Sequence, residues 1–196
     1  MFKSLRKLAA ITLVVLSTSA TASFEEGVHY EVIKDKEASE TPTLSMFHSP
    51  YCAPCAMLHD VMVKMANKNN AEFVEIPMNF GPNAKTIQRG FVLARAEGKA
   101  DKYMDKLIAM IHVEGKRSLR VVHIDNALIR AEVNKRDFLT EADWIDSEIE
   151  KLDNLATEYK VSKTPTIIIN GNIEINMQSL RSMEELDQLI KTLLVA

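Results

Sequence analysis

Cys52 and Cys55 are the only cysteines in the chain, and two residues, Ala53 and Pro54, separate them. His48 stands four positions before the first and His59 four after the second. Three chemistries fit this spacing: thiol–disulfide exchange, metal ligation, or a structural cross-link. The neighbouring elements weigh among them. Thr43–His48 reads as a short, largely apolar strand that Pro50 brings to an end. From Ala53 onward Met57, Leu58, Val61, Met62 and Met65 recur at helical spacing, which predicts a helix to about Asn69. Cys52 then sits at a helix N-terminus, where unpaired N–H groups and the helix dipole favour a thiolate over a thiol. A free thiol titrates near ~8.5, whereas C-x-x-C cysteines at helix starts fall to roughly 3.5–7.5. That preference stabilises the reduced form and makes the disulfide more oxidising. On this reading Cys52 is the attacked and attacking sulfur. Cys55, one turn inside the helix, is the buried partner that resolves a mixed disulfide. A purely structural staple is weaker chemistry, because so small a loop removes little chain entropy. A zinc site drawn from His48, Cys52, Cys55 and His59 has the right donors, but the strand–helix joint would have to fold back on itself to close a tetrahedron.

The rest of the chain supplies the elements that must hold this pair. His29 to Lys34 alternates weakly and reads as an edge strand, and Glu72 to Met78 is a second strand rich in β-branched and aromatic residues. From Ala84 to about Tyr159 the pattern is helical, with breaks at Gly98, Gly115 and near Asn134–Asp137. Thr140 with Asp143 resembles a capping box, and Ile145, Ile149, Leu152 and Tyr159 mark one face of the helix that follows. Strand character returns at Thr166 to Ile169, Asn170-Gly171 is a hairpin signal, and Ile173 to Asn176 is the partner strand. Ser182 and Glu185 open a closing helix to about Leu194. Pro165 opens an apolar strand where a proline is normally unwelcome; a cis Thr164–Pro165 peptide placed opposite the cysteines is one solution. The order β, βαβ, helices, ββα predicts an α/β fold: a thioredoxin-like central mixed sheet flanked by helices, with an inserted α-helical domain.

Cys52-Ala53-Pro54-Cys55 after a strand, and Val161 to Gly171 (V-S-K-T-P-T-I-I-I-N-G) after the helical block, resemble the DsbA family of periplasmic thiol–disulfide oxidoreductases. Gly27 to Glu31 and Asn79-Phe80 extend the likeness over nearly all of the chain beyond its first segment. The resemblance implies catalytic Cys52, resolving Cys55, a cis Pro165, and Thr164 presenting its backbone to an extended client peptide. Its redox group is the Cys52–Cys55 disulfide, with no added cofactor and no metal. Implied partners are unfolded or reduced exported proteins and, as reoxidant, a DsbB-like membrane quinone reductase. Three positions depart from the family. The Ala53-Pro54 dipeptide replaces Pro-His, whose histidine helps stabilise the thiolate. Thr164 replaces the usual valine, as in disulfide isomerases. Met46 stands where the family has a buried acid six residues before the first cysteine. His48 points to the same strand face as Met46, and Glu75 lies near where DsbA has a lysine partner to its acid. Either one is a candidate for the missing proton transfer to and from Cys55.

The N-terminus has the parts of a secretory signal in order. Lys3, Arg6 and Lys7 are followed by the apolar run Leu8 to Leu16 and by Ala20-Thr21-Ala22, predicting cleavage after about Ala22. The run is too short for a spanning helix, which needs roughly 20 apolar residues. Export would place the lone cysteine pair where a disulfide persists; the periplasm is the compartment that fits. Residues 23–196 carry 21 Lys+Arg against 27 Asp+Glu, a mildly acidic balance with no attraction for nucleic acid or anionic lipid. The expected layout is a signal peptide over 1–22, a thioredoxin-like part with the cysteines over 23–83, a helical insertion over 84–158 and a second thioredoxin-like part over 159–196. His59 reads as a surface helix residue and Trp144 as a packing residue. Met46 and Met78 read as core, and the Lys116-Arg117 and Lys135-Arg136 pairs as solvated. The chemistry expected is donation of the Cys52–Cys55 disulfide to exported proteins. A disulfide isomerase or reductase of the same fold is the alternative, and a Cys/His zinc-binding module is the alternative from another class.

Overall fold

The computed structural model describes residues 23–136, 138 and 142–195. The signal segment and Thr140 lie outside these residues. Five strands form one mixed sheet in the order β1-β5-β4-β2-β3. They are β1 (Tyr30–Val32), β2 (Thr43–His48), β3 (Glu72–Pro77), β4 (Thr166–Ile169) and β5 (Ile173–Ile175). The inner strand β2 pairs parallel with β3 and antiparallel with β4, and the edge strand β1 pairs antiparallel with β5. All four residues of β4 are buried, as expected for a strand covered on both faces.

Strand alternation sends side chains into two cores. Leu44 and Met46 of β2 and Ile167 and Ile169 of β4 pack on α1 (Ala53–Lys68) and α6 (Met183–Leu194), through Leu58, Met62, Leu189 and Ile190. Phe47, Ile76 and Ile168 face the other way. They meet the helical block α2 (Ala84–Ala96), α3 (Ala100–His112), α4 (Val121–Arg130) and α5 (Asp143–Glu158). Gly98 and Gly115 take positive φ at two of the helix breaks. Gly90 lets α2 approach α3, since a Cβ there would fall 2.3 Å from the Tyr103 hydroxyl oxygen.

Elements fall within a residue or two of the sequence reading, with local differences. The Asn170-Gly171 hairpin forms with both residues at positive φ, but its loop takes three residues, because Ile169 pairs with Ile173. Helix α5 begins at Asp143 with Ala142 as its N-cap. Ser182 caps α6 as expected, its side chain accepting from the Glu185 N–H. Met46 and Met78 are buried in the core. Trp144 is not a packing residue. It is 45% exposed, because the buried face of α5 runs through Ile145, Ile149 and Leu152 and residue 144 falls off that stripe.

Candidate functional site

Cys52 and Cys55 form a disulfide with Cα atoms 5.1 Å apart at the start of α1. Cys52 is the N-cap, with its backbone extended and its Sγ accepting from the Cys55 N–H at 3.2 Å. Pro54 sits in the first turn, where its missing N–H leaves no helical bond unmade. Cys52 is half-buried and Cys55 fully buried among Leu44, Met46 and Leu58.

The loop that delivers Cys52 to the helix is tied from two sides. Ser49 Oγ donates to the Phe80 carbonyl at 3.1 Å. The Tyr51 hydroxyl donates to the Pro82 carbonyl at 3.0 Å and accepts from the Leu119 N–H at 2.9 Å. Gly81, at φ 96°, makes room for the Tyr51 ring, which a Cβ would meet at 2.6 Å. From the end of α3, His112 Nε2 donates to the Pro50 carbonyl at 2.8 Å. The helical block therefore braces the cysteine loop directly. Across the sheet, the antiparallel register Phe47↔Thr166 carries the start of β4 to the same end as the cysteine loop. The peptide bond there, Thr164–Pro165, is cis.

Behind the disulfide lies a buried ionic cluster. Glu75 on β3 is only 7% exposed, and His48 on β2 is 0% exposed. Glu75 is thus not the surface residue that a strand Glu normally is. His48 Nε2 lies 2.9 Å from Glu75 Oε1, near enough for an ion pair but out of line for a hydrogen bond. The same oxygen accepts from His59 Nε2 at 2.7 Å. His59 overturns its sequence reading: it is 1% exposed, not a surface residue. It lies one turn after Cys55 on the buried face of α1. Its Nδ1 is 3.0 Å from Asp105 Oδ1 of α3. Burial pulls the His59 imidazolium toward neutrality, but the carboxylates of Asp105 and Glu75 more than offset it, raising its pKa to about 10. For Glu75, burial pushes the carboxyl up, and the two histidines more than offset that, holding it at about 2. The pair is an imidazolium and a carboxylate over the whole neutral range. Asp105 was not visible as a site residue in the sequence, because α3 reaches α1 only through the tertiary fold.

This geometry does not favour the zinc alternative. Cys52 and Cys55 are bonded to each other, and both histidines turn to Glu75. Polar atoms of His59, Asp60 and Asp105 also come within 4.8 Å of one another. A cation there would first have to displace the proton that His59 holds so firmly.

A thioredoxin family model matches residues 32–192, most of the chain. The chain belongs to the thioredoxin family. Within this family its sequence is similar to the thiol:disulfide interchange protein DsbA of Pseudomonas syringae pv. tomato, 25% identical over 195 residues, covering 93% of this chain and 91% of that one. DsbA of Pectobacterium carotovorum is 23% identical over 180 residues, covering 88% and 86%. Among solved structures, Proteus mirabilis DsbA with a non-covalently bound peptide shares the fold at a TM-score of 0.75 and 21% identity, covering 89% of this chain and all of that one. The likeness to DsbA carried by the C-x-x-C and Thr-Pro segments thus runs along most of both chains. In this thioredoxin-family chain Glu75, His48 and His59 are the buried polar groups beside α1, while Met46 fills its position with an apolar side chain.

Proposed function

We propose that the protein is a thiol:disulfide oxidoreductase that donates the Cys52–Cys55 disulfide to reduced exported proteins. The observation that carries this reading is a disulfide whose half-buried member caps a helix while its partner is sealed in the core. A client thiolate attacks Cys52 Sγ, the Cys52–Cys55 bond breaks, and Cys55 leaves as a thiolate that takes up a proton. A second client thiolate then attacks the client sulfur of the mixed disulfide. The client departs oxidised, and Cys52 leaves as a thiolate stabilised by the helix N-terminus. Thr164 and Pro165 are the residues that would align the client backbone beside Cys52; that the Proteus mirabilis relative holds a peptide supports a peptide-like client. Ala53 and Pro54 set the local environment of the sulfur, and His48 or Glu75 serves the proton of Cys55. The redox group is the disulfide itself, without a further cofactor.

The signal-like residues 1–22 support export, with the periplasm as the compartment and a DsbB-like membrane quinone reductase as reoxidant. Among the described residues no helix is long and apolar enough to cross a membrane. We read 23–83 and 159–196 as the thioredoxin-like part and 84–158 as its helical insertion, in keeping with four helices lying between β3 and β4. A second reading, an isomerase or reductase of the same fold, is favoured by Thr164 before Pro165 and by the uncharged Ala53-Pro54 pair.

The deciding experiment mixes oxidised protein with a reduced, unfolded client and quenches with acid. A Cys55→Ser variant carrying glutathione in disulfide linkage at Cys52 should accumulate a client adduct at Cys52 as the client thiolate displaces glutathione, and Cys52→Ser should form none. A glutathione series then sets the direction. A potential well above the thioredoxin value of about −270 mV is expected, and one at or below it selects the reductase.

A further inference from the structure

The buried cluster assigns roles that the cysteine pair alone does not. Its members come from four elements: His48 from β2, Glu75 from β3, His59 from α1 and Asp105 from α3. Glu75 Oε1 serves both histidines. Of the two rings, His59 is held at both ends, by Glu75 and by Asp105, whose side chain is 45% exposed. His48 is different. It meets the cluster only through Nε2; neither ring's Nδ1 makes a hydrogen bond, but that of His59 lies 3.0 Å from the Asp105 carboxylate, while among the described residues that of His48 has no ion-pair partner. It also shares the α1-facing side of β2 with Met46, which packs in the same core as Cys55.

We propose that His59, anchored on Asp105, is the positioning residue that keeps Glu75 ionised in the core, so that the proton of Cys55 is carried by His48 and not by Glu75. This rests on the oxidoreductase reading and specifies its proton step. When a client thiolate breaks the Cys52–Cys55 bond, the electron pair leaves on Cys55 Sγ, and protonated His48 supplies the proton. In the reverse step Cys55 gives its proton to His48 and attacks Cys52, the intramolecular disulfide reforms, and the client leaves as a thiolate. The Glu75 carboxylate, 2.9 Å from His48, balances the positive charge that His48 carries while Cys52 and Cys55 are bonded to each other. A protonated Glu75 could not do so. Among the described residues, the other charged groups at the cluster are Asp60 on α1, 3.9 Å from His59 Nδ1, and Arg95 and Asp101. Arg95 and Asp101 line a cleft of about 320 Å³ that reaches Glu75 between α1, β3, α2 and α3. Arg95 is engaged by Glu148 at 2.7 Å and does not replace His59.

The test is the rate at which Cys55 displaces glutathione from Cys52, followed from pH 5 to 9 by acid quench and mass spectrometry. His59→Gln removes the charge and keeps a hydrogen-bond donor. Its rate should fall about tenfold below the wild type at pH 6, as for a carboxyl only one-tenth ionised there, and should rejoin the wild type by about pH 8.5. His59→Lys restores the charge without the ring and should follow the wild-type profile within about twofold. Asp105→Asn, at a half-exposed site that tolerates change, should shift the profile in the same direction as His59→Gln but less. The proposal is overturned if His59→Gln, folded by circular dichroism, superimposes on the wild type, or if His59→Lys is as impaired as His59→Gln. Should His59→Gln fail to fold, an Asp105→Asn profile identical to the wild type overturns it equally. Failure of glutathione to exchange on wild-type Cys52 would instead refute the oxidoreductase reading itself.

Discussion

Replacing His59 by Gln should remove about half of the pH dependence of stability on the alkaline side of neutrality. In the unfolded chain His59 loses its proton near its ordinary value of 6.5, but in the folded protein it keeps the proton to about 10. Between these values the folded state binds one more proton than the unfolded state, so stability falls as pH rises. The slope is about 1.4 kcal/mol per pH unit for one proton. The contribution is fully present below 6.5, should lose about 3 kcal/mol by pH 8.5, and is gone above 10. Glu75 shows the mirror behaviour. Its stabilisation is present above the ordinary carboxyl value of 4.5 and is lost as pH falls through about 2. The two displacements describe one ion pair from its two ends and are not additive. Urea unfolding of the oxidised protein at pH 6 and pH 8.5 measures the alkaline limb, with the cysteines tied in the disulfide and unable to titrate. The wild type should lose about 3 kcal/mol between these pH values, and His59→Gln about half of that, contributed by a Glu75 carboxyl that is protonated at pH 6 and ionised by pH 8.5. An equal loss in both proteins would refute a buried, ion-paired imidazolium at position 59.

Two substitutions test the scaffold around the site. Tyr51→Phe removes the acceptor of the Leu119 N–H and the donor to Pro82; a loss of about 1–2 kcal/mol in urea unfolding is expected, with faster proteolysis of the loop before Cys52. Gly90→Ala places a Cβ 2.3 Å from the hydroxyl of the fully buried Tyr103. Overpacking should outweigh the better helix propensity, lowering the melting temperature by roughly 2–6 °C with disulfide exchange unchanged.

The cysteine pair, the helix behind it and the Thr-Pro turn were legible because each is a local pattern: a spacing, a periodicity, a proline at a strand start. The buried cluster was only half legible. Strand alternation placed His48 beside Met46, and the absence of an acid at Met46 drew attention to Glu75. The burial of His59 does have a signal in the sequence. His59 follows the buried Cys55 by four residues, and Met62 follows it by three, so it belongs to the same helical face. A charged ring on that face needs partners, and those come from β3 and α3, elements whose approach no local pattern reveals. Trp144 failed for the opposite reason: a large aromatic suggests burial, but the stripe of Ile145, Ile149 and Leu152 leaves it outside.

The central claim is that the Cys52 sulfur, as the cap of α1, is poised as a thiolate for exchange. It is tested most directly by titrating the reduced protein and following thiolate absorbance at 240 nm, with Cys55→Ser to isolate the signal. A Cys52 pKa clearly below the ordinary thiol value of about 8.5 is predicted. A value at or above that of a thiol in an unstructured peptide would contradict the claim.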